Sequence, residues 1–319
     1  MSKTTIIVVG SSNTDMIIQL DRLPRPGETI LGGEFTSAAG GKGANQAVGA
    51  ARAGGQVTFI ARVGQDMFGD QAVAGFIKEG INTDHVLRDK SRPSGVALIF
   101  VAKDGENSIA VAGGANGELS PTDVGKAKNL FASAGMLVMQ LETPLATVQA
   151  AADLAARAGV RVILNPAPAR TLPDKLLKKV AIITPNETEA ELLTGIKVDS
   201  EAAASKAADK LLTRGVKTVI ITLGSRGAFV AGEGVRKLVP GFKVKAVDTT
   251  AAGDVFNGAL AVALGEGRPV IEAVRFANAA AAISVTRLGA QPSAPVRKEI
   301  ELLLASAKTN TGVLRVKPF

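Results

Sequence analysis

The stretch MLVMQLETPLATVQAAADLAARAGVRVILNP, residues 136–166, combines an apolar run, an Ala-rich segment and a second apolar run rich in β-branched residues. Two short apolar strands separated by a helix predict a βαβ unit, in which the strands are parallel. Comparable apolar runs occur at 5–10, 57–64, 180–186 and 218–224, and another Ala-rich stretch at 201–215. We therefore predict an α/β fold with a mostly parallel central sheet flanked by helices.

Two segments interrupt this alternation. Residues 16–38 and 94–116 read as strands joined by turns, and KDGEN at 103–107 is a plausible hairpin connection. We interpret them as a small β-sheet that forms either a lid over a site or a dimer surface, with a decorative hairpin as the alternative. The predicted division is an α/β core of residues 1–15, 39–93 and 117–319 and a β lid of residues 16–38 and 94–116.

Composition limits the classes of protein. The chain has 319 residues, of which 46% are hydrophobic and 21% charged, as expected of a soluble globular protein. It has no Cys, which excludes disulfides and thiolate metal sites. We find no apolar run of about 18 residues, so no transmembrane helix is expected. We expect a cytoplasmic protein that does not bind a membrane.

The formal net charge of +8 favours an anionic partner. Nucleic acid is disfavoured because Lys and Arg are scattered along the chain and aromatic residues are only 3%, with no Trp or Tyr to stack on bases. A small polyphosphate fits this composition better.

Common catalytic signatures are absent. His85 is the only histidine, so His-based zinc sites are excluded and a Ser-His-Asp triad would depend on one residue. The Gly-rich stretch GGKGANQA, residues 40–47, lacks the hydroxyl residue of a P-loop and carries Gln46 where a dinucleotide fingerprint needs Gly. Its glycines still predict a close approach of the backbone to another group, or simply a tight turn into a helix.

The stretch DTTAAGD, residues 248–254, offers a different chemistry. The small residues Ala251, Ala252 and Gly253 at a predicted helix N-terminus would leave amides open to an anion. Asp254 beside them could take a proton from a hydroxyl group, or it could cap the helix. The isolated motif leaves both possibilities open.

The chain also resembles a known family. GGKGANQA, the Asn-x-x-Glu motif in NETE at 186–189 and DTTAAGDVFNGA at 248–259 are similar to the signatures of the PfkB, or ribokinase-like, carbohydrate kinases. The resemblance extends from GSSNTD at 10–15 to GAQPS at 289–293. It implies a three-layer fold with a β-sheet lid.

The resemblance implies a sugar site and a catalytic base. Asp254 would deprotonate the primary hydroxyl of the sugar, and the amides of Ala251, Ala252 and Gly253 would hold the transferred phosphoryl group. The sugar hydroxyls would be held by Asn13, Asp15, Gly41, Lys42, Asn45 and Glu142, together with Asp254.

A nucleotide site and cations are implied as well. Asn186 and Glu189 would bind Mg²⁺ and phosphate through waters, although the same motif is typical of a helix cap. The nucleotide would be lined by Thr222, Gly224, Ser225, Gly227 and Asn278. K⁺ would be held, largely by backbone carbonyls, around Asp248, Thr250, Ser284, Arg287, Gly289 and Ser293.

The reaction that this resemblance implies is transfer of the γ-phosphoryl group of ATP to the 5-hydroxyl of D-ribose. Another acceptor such as 2-deoxyribose or a nucleoside, a non-catalytic sugar sensor, and a dinucleotide-dependent oxidoreductase are the alternatives. The resemblance also implies a homodimer formed through the lid, to which Ile17, Leu98 and Phe100 would contribute exposed apolar contacts.

Overall fold

The computed structural model describes residues 5–309. Residues 1–4 and 310–319, which the predicted core includes, lie outside the described residues. The strands are β1 (Thr5–Val9), β2 (Asn13–Leu20), β3 (Glu34–Gly40), β4 (Gln56–Gly64), β5 (Val86–Asp89), β6 (Gly95–Ala102), β7 (Asn107–Ala112), β8 (Met136–Met139), β9 (Arg161–Leu164), β10 (Ile182–Ile183), β11 (Thr218–Thr222), β12 (Gly227–Gly232) and β13 (Val235–Pro240). The helices are α1 (Lys42–Arg52), α2 (Met67–Lys78), α3 (Pro121–Lys126), α4 (Leu145–Ala158), α5 (Asp174–Leu177), α6 (Glu187–Thr194), α7 (Glu201–Thr213), α8 (Ala252–Gly265), α9 (Val270–Ser284) and α10 (Arg297–Thr309).

Within the described range, the larger sheet has nine strands in the order β13-β12-β11-β10-β9-β8-β1-β4-β5. In this spatial order, each pair of neighbours from β11 to β5 is parallel, whereas β12 and β13 are antiparallel additions at the other edge, beside β11. The βαβ unit predicted from residues 136–166 is present as β8, α4 and β9. The predicted mostly parallel sheet is confirmed.

The core lies on both faces of this sheet. Along β1, Ile6 and Val8 pack on one face with residues of α1, α2, α8, α9 and α10. Ile7 and Val9 pack on the other face with residues of α3 through α7. All four side chains are fully buried, which explains why this strand is continuously apolar instead of alternating. The result is the three-layer arrangement of helices, sheet and helices.

The interrupting segments form a second sheet, with the order β3-β2-β6-β7. The hairpin predicted at 103–107 connects β6 to its antiparallel partner β7. β2 and β3 extend the pairing to Asn13 and Gly40, so Asp15 lies on this sheet, paired with Ala38 and Ala97. Whether this sheet acts as a lid stays a prediction.

Close packing of α1 against α8 positions the polar residues described below. A Cβ atom added at Gly258 of α8 would lie 2.5 Å from the backbone nitrogen of Ala50 and 2.6 Å from the carbonyl oxygen of Gln46. Only glycine permits this approach. It brings the N-terminal turns of the two helices within side-chain reach of each other. Among residues 5–309, no helix is long and apolar enough to cross a membrane.

Candidate active site

Many of the predicted site residues come from the carboxyl ends of the sheet strands and from the first turns of α1, α6 and α8, whereas others lie at the start of β2, in α9 and in the segment after α9. In parallel α/β sheets, ligands bind beyond this edge because the connecting turns leave an open crevice there. The side chain of Asp254 is only 6% exposed and lies at the centre of this region.

The carboxylate of Asp254 is held by side chains of α1. Its Oδ2 accepts a hydrogen bond from Nδ2 of Asn45 at 3.0 Å, and its Oδ1 accepts from Nε2 of Gln46 at 2.9 Å. Asp254 is the third residue of α8, and the helix has no side-chain cap. Its carboxylate therefore contacts a neighbouring helix and does not cap its own.

Burial raises the pKa of Asp254, although Lys42, Gln46 and Asn45 oppose the increase by favouring the ionised form. At the ammonium group of Lys42, burial and neighbouring charges also act on the pKa in opposite directions. Its burial lowers the pKa of Lys42, but the negative charges of Asp254, Glu142 and Glu189 outweigh that effect and leave it raised. Lys42 is thus held protonated and can donate hydrogen bonds but accept none.

The first turn of α8 is open. Ala251, its N-cap residue, has a left-handed backbone with φ of 58°, which is rarely adopted by a residue with a side chain. Gly253 is exposed, and a Cβ atom added there would meet nothing within 4 Å. The amides at the start of a helix have no acceptor within the helix. In α8 the amide of Ala252 donates to the carbonyl oxygen of Thr249 at 3.3 Å, whereas the turn at Gly253 borders open space and can receive an anion.

The glycines of GGKGANQA have a packing role. Gly41 has φ of 89°, and an added Cβ atom would lie 2.7 Å from the backbone nitrogen of Asn13. At Gly43 the same atom would lie 2.5 Å from the nitrogen of Ser11. The close approach predicted from these glycines is therefore satisfied by the turn that follows β1.

The candidate sugar side combines this turn with the small sheet. Burial, together with the charges of Glu142 and Asp254, raises the pKa of Asp15 to about 6. Asn13 is buried, and its Oδ1 accepts from Nδ2 of Asn116 at 2.8 Å. Asn116 was not predicted, because it lies 103 residues from Asn13 in sequence.

Glu142 and Asn45 complete that side. Oε2 of Glu142 accepts from the hydroxyl of Ser11 at 2.5 Å and from the amide of Lys42 at 3.0 Å. Oδ1 of Asn45 is buried without a hydrogen-bond partner in the described part of the chain. Because a buried acceptor without a partner is costly, this oxygen is an acceptor available to a ligand hydroxyl.

Asn186 and Glu189 form a capping box at the start of α6. Oδ1 of Asn186 accepts from the amide of Glu189 at 2.8 Å, and Oε2 of Glu189 accepts from the amide of Asn186 at 2.9 Å. The capping interpretation of this motif is confirmed. Burial raises the pKa of Glu189, while the amide of Asn186 and the charge of Lys42 oppose the shift.

The predicted nucleotide residues lie around the β11–β12 turn and the adjoining end of β13. Asn186 forms an isolated parallel bridge with Thr222 at the end of β11. Gly224, with φ of 55°, and Ser225 are exposed, whereas a Cβ atom at Gly227 would lie 2.1 Å from the carbonyl oxygen of Val239. Asn278 is buried, and its Nδ2 donates to the carbonyl oxygens of Val239 and Pro240 at 3.1 and 3.3 Å.

The predicted cation residues lie in the segment before α8 and in the end of α9 with the segment after it, and Asp248 joins the two. Its Oδ1 accepts from the amide of Thr250 and its Oδ2 from the amide of Gly289, each at 2.8 Å. Burial raises the pKa of Asp248, but these contacts lower it overall. The side chains of the remaining residues have protein partners: Ser284 donates to Ala281, Ser293 to Ala290 and Arg287 to Glu299. No cluster of three or more His, Asp or Glu residues suited to a metal is found within residues 5–309.

Comparison with known proteins agrees with this architecture. The family model described as "pfkB family carbohydrate kinase" matches residues 3–297. A ribokinase of Haemophilus influenzae is 50% identical over 297 residues, covering 93% of this chain and 97% of its own. The structure of Arabidopsis thaliana ribokinase complexed with ribose and ATP is 36% identical, with a TM-score of 0.87, and the match covers 95% of this chain and 99% of that one.

A deoxyribokinase of Salmonella typhi is also similar, at 40% identity over 291 residues, which covers 91% of this chain and 95% of its own. These matches extend over nearly the whole chain. The protein belongs to the pfkB family of carbohydrate kinases. It is accordingly an ATP-dependent sugar kinase, and the dinucleotide-dependent oxidoreductase considered from the α/β pattern is excluded.

Proposed function

We propose that this protein transfers the γ-phosphoryl group of ATP to the 5-hydroxyl of D-ribose, giving D-ribose 5-phosphate and ADP. The observation that carries the proposal is the buried carboxylate of Asp254, oriented by α1, beside the open first turn of α8. The ribokinase of Haemophilus influenzae, 50% identical, supports ribose as the acceptor.

In this proposal Asp254 accepts the proton of the 5-hydroxyl as its oxygen attacks the γ-phosphorus, and the bond to the β-phosphate oxygen of ATP breaks. Amides of Ala251, Ala252 and Gly253 donate to the transferred phosphoryl oxygens. Their contribution is large because the donors are fixed before the reaction. Asp15, Asn13 and Asn45, with Gly41, Lys42 and Glu142, hold the remaining sugar hydroxyls.

The nucleotide is proposed to lie along Thr222, Gly224, Ser225, Gly227 and Asn278. The open backbone at Gly224 leaves room for a ligand, whereas Gly227 and Asn278 support the neighbouring strand end. Gly227 and Asn278 would then act by shaping the nucleotide site.

Two cations are part of the proposal. The donor set at Asn186 and Glu189 is small and oxygen-rich, which fits Mg²⁺ held mainly by waters and ATP phosphates. The loops around Asp248, Thr250, Ser284, Arg287, Gly289 and Ser293 offer backbone carbonyls and hydroxyls, hard donors that suit K⁺. Mg²⁺ would neutralise phosphate charge, and K⁺ would stabilise the loop before α8.

A second acceptor, 2-deoxyribose, is favoured by the deoxyribokinase match at 40% identity. The two sugars differ only in the 2-hydroxyl, so they would share the phosphoryl-transfer residues. The distinction depends on whether Asp15 and Asn45 bind that hydroxyl.

The test is ADP release by purified protein with Mg-ATP and K⁺, compared for D-ribose, 2-deoxyribose, adenosine and no sugar. We expect the greatest kcat/KM with D-ribose and a single phosphomonoester product identified by ³¹P NMR. 5-Deoxyribose is the matched control, because it keeps the other hydroxyls but lacks the acceptor. Greater kcat/KM with 2-deoxyribose would change the substrate, whereas ribose binding without ADP release would favour the sugar sensor.

We further propose a homodimer formed through the small sheet. Phe35 and Leu98, on the face opposite Asp15, are 63% and 47% exposed, and such apolar surface is typical of an interface. Ile17 and Phe100 are half-buried within the protomer and contribute less surface than expected. Leu98→Lys should lower the molar mass measured by light scattering if the dimer forms there.

A cytoplasmic location is proposed because the reaction consumes ATP.

A further inference from the structure

Gln46 is the central member of a group of buried amides beneath Asp254. Its side chain is fully buried. Nε2 of Gln46 donates to Oδ1 of Asp254 at 2.9 Å and to Oδ1 of Asn165 at 3.1 Å, while its Oε1 accepts from Nε2 of Gln140 at 2.6 Å. Each polar atom of the Gln46 side chain therefore has a partner, and the partners come from α8 and from the segments that follow β8 and β9.

The direction of these hydrogen bonds is determined by a backbone carbonyl. The carbonyl oxygen of Thr184 can only accept, and it accepts from Nδ2 of Asn165 at 3.1 Å. Asn165 must then present its Oδ1 to Gln46, and Gln46 must present its Nε2. The donor that reaches Asp254 is thus oriented from the end of β10.

A second branch leads from the same residue to the open turn of α8. The hydroxyl of Thr184 donates to Oδ1 of Asn257 at 2.7 Å, and Nδ2 of Asn257 donates to the carbonyl oxygen of Gly253 at 2.8 Å. Thr184 therefore supports both the carboxylate of Asp254 and the peptide that precedes it. A displacement of the amide network would move the base relative to the helix terminus.

We propose that Gln46 is a positioning residue, whose amide holds the Asp254 carboxylate in the orientation that accepts the proton of the sugar hydroxyl. This inference rests on the proposed function. Without the Gln46 amide, the carboxylate keeps one hydrogen bond, from Asn45, and can rotate about it. Catalysis is sensitive to such freedom because proton transfer requires a short, aligned hydrogen bond.

The surroundings of Asp254 make this hydrogen bond electrostatically important. Within residues 5–309, the acidic groups that influence it are Glu142, Asp15 and Glu189, and the basic group is Lys42. Burial already raises the pKa of Asp254, and the Gln46 amide opposes that shift. Loss of the amide should therefore move the acid limb of the pH–rate profile to higher pH.

The experiment compares kcat, KM for ribose and the pH dependence of kcat/KM in wild type, Gln46→Met and Gln46→Glu. Met fills a similar volume without hydrogen-bonding groups. Glu keeps the shape and one acceptor but places a second carboxyl group 2.9 Å from Oδ1 of Asp254, where the two groups would share a proton. Thr147→Val is the matched control, because it removes another buried hydrogen bond, from Thr147 to the carbonyl oxygen of Leu119, away from the site.

We expect Gln46→Met to reduce kcat about 10- to 100-fold with KM for ribose changed less than threefold, as for loss of one hydrogen bond to a charged group. The acid limb should shift upward, and further in Gln46→Glu. Thr147→Val should lower Tm while keeping kcat and the pH profile. A normal kcat and pH profile in Gln46→Met would overturn the proposal, and if that variant does not fold, an unshifted acid limb in Gln46→Glu would do so. Absence of ribose phosphorylation by wild type would instead refute the proposed function.

Discussion

The first turns of α6 and α8 both face the candidate site, and each carries an acid as its third residue, but they differ in what that acid contacts. In α6, Glu189 and Asn186 satisfy each other's backbone amides. In α8, the N-cap Ala251 has no capping side chain, and Asp254 contacts α1 instead. A capped helix end is already satisfied, whereas an uncapped one keeps its amides available for an anion.

The first prediction tests the acid of the uncapped end. Asp254→Asn should reduce kcat about 10²- to 10⁴-fold, the usual contribution of a general base, while ribose binding measured by calorimetry persists. Near-normal turnover would show that Asp254 is not the base.

The matched control is Asp123→Asn in α3. Asp123 is also the third residue of its helix, and it forms a capping box with Ser120 and an ion pair with Arg62. Because this acid completes its own cap, the variant should lose about 1–2 kcal/mol of stability in denaturant titration and keep its kcat. A loss of kcat with unchanged stability would contradict the comparison.

The second prediction compares two glycines of α8. Gly253→Ala should keep the stability of wild type, because the added methyl group meets open space, yet reduce kcat about tenfold or more by intruding where the phosphoryl group would bind. Gly258→Ala should lower stability by about 1–3 kcal/mol, because its methyl group would overlap the backbone of α1. Equal losses of stability would remove the distinction between a ligand-facing and a packing glycine.

The third prediction separates the two roles of Glu189. Glu189→Gln should preserve stability, since Gln can also complete a capping box, but raise the KM for Mg-ATP several-fold through loss of charge. Glu189→Ala should show the same rise in KM and should also lose about 1 kcal/mol of stability. An unchanged KM for Mg-ATP in both variants would mean that Glu189 acts only as part of the cap of α6.

The fourth prediction concerns Asp15, a carboxylate that belongs to neither helix. Its pKa is raised from 3.8 to about 6, and the ionised form is the better acceptor for sugar hydroxyls. The KM for ribose should therefore rise as pH falls below about 6, with a flat profile in Asp15→Asn. A flat wild-type profile would contradict the assignment.

The same shift has a defined effect on stability. A carboxyl group with a raised folded pKa stabilises the protein below its unfolded pKa, and that contribution is lost as pH rises through about 6. The stability of Asp15→Asn relative to wild type, measured in urea, should accordingly increase between pH 5 and pH 8.

Much of the fold follows from local patterns. Short apolar runs separated by Ala-rich helices were enough to predict a parallel sheet, because strands buried on both faces must be continuously apolar. The Asn186–Glu189 cap was also predictable, because it joins residues only three positions apart in sequence. The roles of the predicted ligand-binding residues stay proposals.

Tertiary structure decided which residues surround Asp254. Its partners Asn45 and Gln46 lie 209 and 208 residues away in sequence, and the sequence offers both as hydrogen-bonding groups without indicating what they bind. The glycines at 41 and 43 indicated a close approach without identifying the turn that they contact. Sequence alone determined the elements and the local caps, because these depend on neighbouring residues. The orientation of the buried carboxylate depends on helices brought together by packing, and only the folded chain decides it.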